Sequence, residues 1–204
     1  MPRIDIPRKS IYRLSIYQRC LSKLKENDVD TVSSEALAKA AGVKPTQLRK
    51  DLTYFGQFGT RGLGYNVEAL SGTIAQVLGQ NHLQPVILVG VGNLGSALLR
   101  YGGFRKEGFE VAAAFDLSPR PQIGLPTPIL PMQEMAGFIE ANQVKMAILT
   151  VPASSAQAVT NQMVVAGIQA ILNFSPTILD VPEHVVVNSV DLAVELENLS
   201  YFIR

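Results

Sequence analysis

The chain has 204 residues, 47% apolar and 17% charged, without a low-complexity tract, which excludes wholesale disorder, collagen-like repeats and a long coiled coil and leaves room for one large or two small domains. No run approaches the roughly 20 apolar residues of a membrane-spanning helix and Met1 to Pro7 lack a signal-peptide core, so a cytoplasmic location is expected; the single Cys20 and the distant His82 and His184 give no disulfide and no multi-thiolate cage, so no metal is expected. Residues 1–80 carry 12 Lys/Arg against 7 Asp/Glu, a net +5, and residues 81–204 carry 6 against 10, a net −4, so a basic first half suited to a polyanion precedes an acidic second half.

In the basic half, Ile11, Leu14, Tyr17, Leu21 and Leu24 recur three and four apart and predict a helix over about 10–25. Hydroxyl caps at Thr31 to Ser34 precede a short helix over 36–41 that Gly42 stops. Pro45 then opens a helix with Leu48, Leu52 and Phe55 on one stripe and Thr46, Gln47, Arg49, Lys50 and Thr53 on the other. Two short helices joined by a turn, the second polar and basic outside, form the arrangement that sets a recognition helix in the DNA major groove. Four glycines between Gly56 and Gly64 permit a hairpin with Arg61 at its tip, a wing whose guanidinium suits a narrow minor groove. Candidate DNA contacts are Thr46, Gln47, Arg49, Lys50, Tyr54 and Arg61, and the apolar repeat Val67, Leu70, Ile74, Val77 predicts a helix that closes this domain.

Near Gly79-Gln80-Asn81-His82 the helical period gives way to strand composition. The apolar run Pro85 to Val89 leads into Gly90-Val91-Gly92-Asn93-Leu94-Gly95, a G-x-G-x-x-G spacing, and a second strand, Val111 to Phe115, ends in Asp116. A strand, the glycine loop, a helix and an acidic residue at the next strand end make up the dinucleotide fingerprint: pyrophosphate at a helix N-terminus, ribose on the carboxylate. Asp116 argues for NAD over NADP, with Arg120 four residues on. A helix over 132–142, a strand 145–150, a helix 155–166, a strand 170–174, a strand 185–188 and a last helical segment 191–202 follow, an α/β pattern with a parallel sheet wound with helices. Ligands bind at the carboxyl ends of such strands, so Thr150-Val151-Pro152 and Asn173-Phe174 join Gly90 to Gly95 and Asp116 as candidate cofactor contacts.

Such a fold most often serves a dehydrogenase, yet no tyrosine is followed four residues later by lysine, His82 lies near the linker, and about 120 residues leave no separate substrate domain. A sensor that binds the dinucleotide without turning it over is the preferred reading, so no enzyme is expected. The alternative is a small NAD(P)-dependent oxidoreductase or a nucleotide- or CoA-binding enzyme subunit whose basic domain mediates assembly.

Arg49-Lys50-Asp51-Leu52, Tyr54-Phe55-Gly56, Gly59 to Tyr65 and the Gly90 to Gly95 fingerprint together resemble the Rex family of bacterial redox-sensing repressors, over almost the whole chain. The resemblance implies a homodimer with a winged-helix domain (1–80), a Rossmann-type domain of doubly wound parallel sheet (81–190) and a C-terminal helix (191–204) swapped onto the partner. It also implies an inverted-repeat operator released when NADH, rather than NAD⁺, favours a closed dimer. Carried over by motif, Lys50 reaches base edges, Arg49 a phosphate and Arg61 the minor groove, while Arg19, Tyr101 and Asp191 form a polar switch linking the domains across the dimer. Leu192 departs from the phenylalanine that family members often place beside the partner's nicotinamide, which exchanges stacking for apolar contact. Cys20, inside the first helix, is read as packing rather than as an oxidation sensor.

Overall fold

The computed structural model describes residues 6–56, 58–60, 63–79, 82–120, 124 and 127–203. The chain divides into two compact units, Met1–His82 and Leu83–Arg204.

In the first unit, helix α1 (Arg8–Glu26) begins two residues before the apolar repeat predicts, because the Pro7 carbonyl accepts from Ser10 N at 2.8 Å and starts the helical turn early. Strand β1 (Thr31–Val32) follows, then α2 (Ser34–Ala40), capped by Ser33, whose Oγ accepts from Ala36 N at 3.0 Å. Gly42, at φ +68°, ends that turn and Pro45 opens α3 (Pro45–Thr53). Strands β2 (Gly59–Thr60) and β3 (Gly64–Asn66) lead into α4 (Val67–Val77), capped by Asn66, whose Oδ1 accepts from Ala69 N at 2.8 Å. β3 pairs antiparallel with both β1 and β2, so the hairpin is tied to the chain just before α2. β1 escapes sequence reading because two residues show no period; its identity comes from pairing with a strand more than thirty residues away. Leu14, Tyr17, Leu21, Leu37, Leu48, Leu70 and Ile74 form the buried core.

The second unit runs β4 (Gln84–Val89), α5 (Asn93–Leu99), α6 (Gly103–Lys106), β5 (Phe109–Asp116), β6 (Ile129–Pro131), a 3-10 turn (Met132–Glu134), α7 (Met135–Ala141), β7 (Met146–Leu149), α8 (Ala153–Val165), β8 (Ala170–Asn173), β9 (Val186–Ser189) and α9 (Leu192–Tyr201). Every strand pairing in its sheet is parallel, in the order β6-β5-β4-β7-β8-β9. The chain moves one way from β4 and then back to β7, the doubly wound order whose reversal opens a crevice at the strands' carboxyl ends. Along β4 the alternate residues Ile87 and Val89 enter one core and Val86 and Leu88 the other, which is why a strand buried on both faces reads as a continuous apolar run. The four-residue α6 and three-residue β6 lie below what periodicity resolves. Every residue from Leu192 to Ile203 is exposed.

Candidate functional site

In α3 the apolar stripe also holds a charge. Asp51 is wholly buried between Leu48 and Leu52, and its carboxylate accepts from Arg13 Nε at 2.6 Å, Arg13 Nη2 at 2.7 Å, Tyr17 OH at 2.8 Å and Gln47 Nε2 at 3.0 Å. Burial alone raises the Asp51 pKa, but the hydrogen bonds, Arg13's foremost, outweigh it and hold the carboxyl below its ordinary value. The bond to Asp51 raises the Arg13 pKa, and burial raises that of Tyr17. The cluster fixes α3 against α1 and so sets which side chains α3 offers outward. Thr46, Arg49 and Lys50 are exposed and Gln47 is half-buried. Arg49 Nη1 donates to Ser34 Oγ at 2.8 Å and lies 3.3 Å from Glu35 Oε1, at the start of α2. Glu35's pKa is lowered, first by a hydrogen bond from its own backbone N–H and then by Ser34 and Arg49. Tyr54, at the end of α3, is half-buried and meets Phe55 edge-on, ring centroids 6.3 Å apart. In the hairpin a Cβ at Gly64 would run into the Val32 carbonyl oxygen, so only glycine lets β3 pass β1 this closely. Arg61 lies outside the described residues.

At the reversal between β4 and β7 lies a cleft of about 750 Å³, lined in part by Gly90, Gly92, Asp116, Thr150, Val151 and Pro152. Two glycines of the loop are held by packing: Gly90 sits at φ +99° against Thr150 and Val151, and a Cβ at Gly95 would run into the Gly90 carbonyl oxygen. Gly92 differs, because a Cβ there would meet nothing within 4 Å; its bare backbone faces open space at the head of α5, where no side chain caps the helix. Thr150 Oγ1 donates to the Gly90 carbonyl at 2.6 Å, binding the end of β7 to the loop after β4. Asp116 Oδ2 accepts from Val91 N at 2.7 Å and its Oδ1 from Ser118 N at 2.9 Å. A phosphate cradle with a carboxylate alongside fits an adenine dinucleotide.

The other candidate residues stand differently. Val91, Asn93, Leu94 and Gly95 belong to the loop and first turn of α5 without lining the cleft. Asn173 is fully buried; its Nδ2 donates to Thr177 O at 3.0 Å and its Oδ1 accepts from Ser175 N at 2.8 Å, so its amide shapes the loop after β8. Phe174 packs in the sheet's second core, and Ser175 Oγ donates to Val151 O at 2.7 Å, joining the two strand-end loops.

Residues 5–53 match a family described as "Putative DNA-binding protein N-terminus" and residues 81–177 one described as "CoA binding domain". The chain is 48% identical to a redox-sensing transcriptional repressor Rex of Syntrophobacter fumaroxidans, over 96% of this chain and 95% of that protein, and 44% identical to one of Pelotomaculum thermopropionicum, over 98% and 95%. It belongs to the Rex family of redox-sensing transcriptional repressors. A crystal structure of RSP in complex with β-NAD⁺ and operator DNA is 36% identical and superposes with a TM-score of 0.90 over 98% of this chain and 94% of that one; RSP with β-NADH gives 35% and 0.86 over 98% and 95%.

In this Rex-family chain the expected switch residues belong to three different segments of the two units. Arg19 is exposed on α1 in the first unit. Tyr101 follows α5 in the second, about 59% exposed, edge-on to Phe104 at 5.1 Å and lying over Gly103, where a Cβ would collide with its ring. Asp191 caps α9, its Oδ1 accepting from Ala193 N at 2.9 Å and Val194 N at 3.3 Å, and Leu192 is exposed on that helix and does not line the cleft. Sequence reading missed the Arg13-Tyr17-Asp51 cluster and the Thr150 clamp. The signal for the first was present: an aspartate on the stripe of Leu48 and Leu52, with an Arg and a Tyr four apart on the helix it packs against. Among the described residues no helix is long and apolar enough to cross a membrane, and no cluster of His, Cys, Asp and Glu could hold a metal ion.

Proposed function

We propose that this Rex-family chain is a redox-sensing repressor that holds DNA through α3 and the β2–β3 hairpin and binds NADH or NAD⁺, as an effector, in the cleft at the β4–β7 reversal. The carrying observation is the glycine loop, where Gly90 and Gly95 are bare because the fold leaves no room and Gly92 is bare where there is room, as a surface that must admit a pyrophosphate requires. Asp116 keeps about one acceptor site on each oxygen after bonding Val91 and Ser118, enough to take both adenosine ribose hydroxyls without releasing the loop. A 2′-phosphate would meet a carboxylate there, which favours NAD over NADP.

On DNA, Lys50 and Thr46 approach base edges, Arg49 exchanges its exposed Glu35 partner for a phosphate, a pair worth only about 0–1 kcal/mol, and Arg61 enters the minor groove with Tyr54 bracing the end of α3. The family resemblance supports a homodimer on an inverted repeat, divided at 1–80, 81–190 and 191–204 with α9 exchanged between copies. The exposed Leu192, Val194, Leu196, Leu199, Tyr201 and Phe202 support the same reading, since a helix with every face in water has nothing in its own chain to hold it. The nicotinamide supplies the redox-dependent difference, and Arg19, Tyr101 and Asp191 rearrange their charge-assisted bonds between a DNA-competent and a closed dimer. Leu192 gives apolar contact at the nicotinamide end.

Fluorescence anisotropy on an A·T-rich inverted repeat at fixed salt, titrated separately with NADH, NAD⁺ and coenzyme A, tests the whole reading. Release by NADH at concentrations where NAD⁺ and coenzyme A leave the complex intact is expected. Specific DNA binding indifferent to all three, or none at all, would overturn it.

A further inference from the structure

The peptide that joins Gly90 to Val91 is held at both ends by side chains from the two flanking strands. Its carbonyl oxygen accepts from Thr150 Oγ1, just past the end of β7, at 2.6 Å, and its N–H donates to Asp116 Oδ2, at the end of β5, at 2.7 Å. The Thr150 hydroxyl also stands 3.1 Å from the Val89 carbonyl oxygen, but it has one proton and the shorter contact takes it. Among the described residues no peptide is cis, and in a trans peptide the C=O and N–H point opposite ways, so an anchor on one fixes the direction of the other. β4 lies between β5 and β7, and the two anchors therefore act on the peptide from opposite sides. Gly90 makes the first anchor necessary. The fold requires glycine there, because φ is +99° and a Cβ would come within 2.8 Å of Val151 Cγ1 and 2.9 Å of the Thr150 carbonyl. A glycine is free to let the following peptide turn over, and the turned peptide would set its carbonyl oxygen against the Asp116 carboxylate, acceptor against acceptor. The bond from Thr150 opposes that turn, so Asp116 keeps Val91 N on Oδ2 and Ser118 N on Oδ1.

We infer that Thr150 is a positioning residue for ribose selectivity: through the Gly90–Val91 peptide its hydroxyl holds Asp116 in the orientation that takes the two adenosine ribose hydroxyls and turns away a 2′-phosphate. This rests on the cleft being the dinucleotide site. Thr150 acts on the ligand through Asp116, from the far side of the glycine loop, and its effect is confined to the adenosine end.

The test compares NADH and NADPH binding, each read by the ligand's own fluorescence, in the full-length protein and in Thr150→Val, which keeps the side chain's shape and removes its hydroxyl. The unaltered protein should prefer NADH. Thr150→Val should weaken NADH about five- to tenfold, the size of one net hydrogen bond, and change NADPH by less than about twofold, so that the preference shrinks. Thr150→Ser keeps the hydroxyl and should keep the preference; Thr150→Ala removes it and replaces the valine variant if circular dichroism shows that one unfolded. In an Asp116→Ala background, Thr150→Val should cost NADH binding nothing further, since the residue through which it acts is gone. A purely structural role, or direct contact between Thr150 and the ligand, weakens both dinucleotides alike and adds to the Asp116→Ala loss. Equal losses for NADH and NADPH, additive losses in the double variant, or no preference in the unaltered protein overturn the inference while leaving the dinucleotide reading in place. If the unaltered protein binds neither ligand, the reading of the cleft itself has failed, and the inference with it.

Discussion

Three residues separate what the fold needs from what a ligand needs. A Cβ at Gly95 collides with the Gly90 carbonyl, whereas one at Gly92 meets nothing within 4 Å at an ordinary φ of −75°. Gly95→Ala should therefore destabilise the second unit by about 1–3 kcal/mol through overpacking. Gly92→Ala should leave stability within about 0.5 kcal/mol yet weaken NADH binding at least tenfold; thermal melts and NADH fluorescence titrations distinguish the two. Asp51 is the third. Asp51→Ala leaves the half-buried Arg13 and buried Tyr17 without their acceptor and should cost about 3 kcal/mol, measured by urea unfolding at pH 7. Because the folded carboxyl titrates below its unfolded value, its stabilisation is complete above about pH 4 and is lost as pH falls through the lower folded value. The unaltered protein should lose stability on acidification more steeply than Asp51→Asn. The sequence marked Asp51 only as part of a motif, since burial and partners are tertiary facts; Gly92, by contrast, was legible from its spacing alone.

Longer elements were legible: α1 to α4 and α8, each of seven residues or more, and the apolar strands β4 and β5, of six and eight, fall within a few residues of where apolar spacing, Ser33, Gly42 and Pro45 put them. What was not legible was short. β1, β6 and α6 have two, three and four residues and exist because neighbours complete their hydrogen bonds. Helix α9 was foreseen as an element, but only the structure shows that none of its residues is buried. Leu196→Asp and Leu199→Glu change exposed positions and should leave each chain folded while converting the proposed dimer to monomer; light scattering after size exclusion reads this directly, and a dimer mass kept by both variants would remove α9 from the proposed interface. In the wing, Gly64→Ala meets the Val32 carbonyl at a φ of +87° and should loosen the hairpin, reducing DNA affinity while the dinucleotide cleft keeps its ligand.

For the molecule as a whole, the two units carry opposite net charge, +5 over residues 1–80 and −4 over 81–204. Operator affinity should therefore fall steeply with salt, with a log–log slope of about −0.9 per phosphate neutralised, while NADH affinity changes little over the same range. Arg49→Ala should flatten the slope by about one unit without altering base preference, and Lys50→Ala should alter base preference as well. Two-unit organisation, charge division and both ligand classes were readable from the sequence. The proposed switch of Arg19, Tyr101 and Asp191 comes from the family resemblance and not from spacing, because the three are far apart in sequence and lie on elements of different units.

Helix α9 is ten residues long, about 15 Å, and isolated helices of that length are marginal in water. A copy with no apolar surface against this helix would carry a fraying tail rich in leucine, tyrosine and phenylalanine, a substrate for proteases. If α9 is exchanged between copies as proposed, dilution exposes it: chymotrypsin should nick the C-terminus of dilute protein and spare concentrated protein.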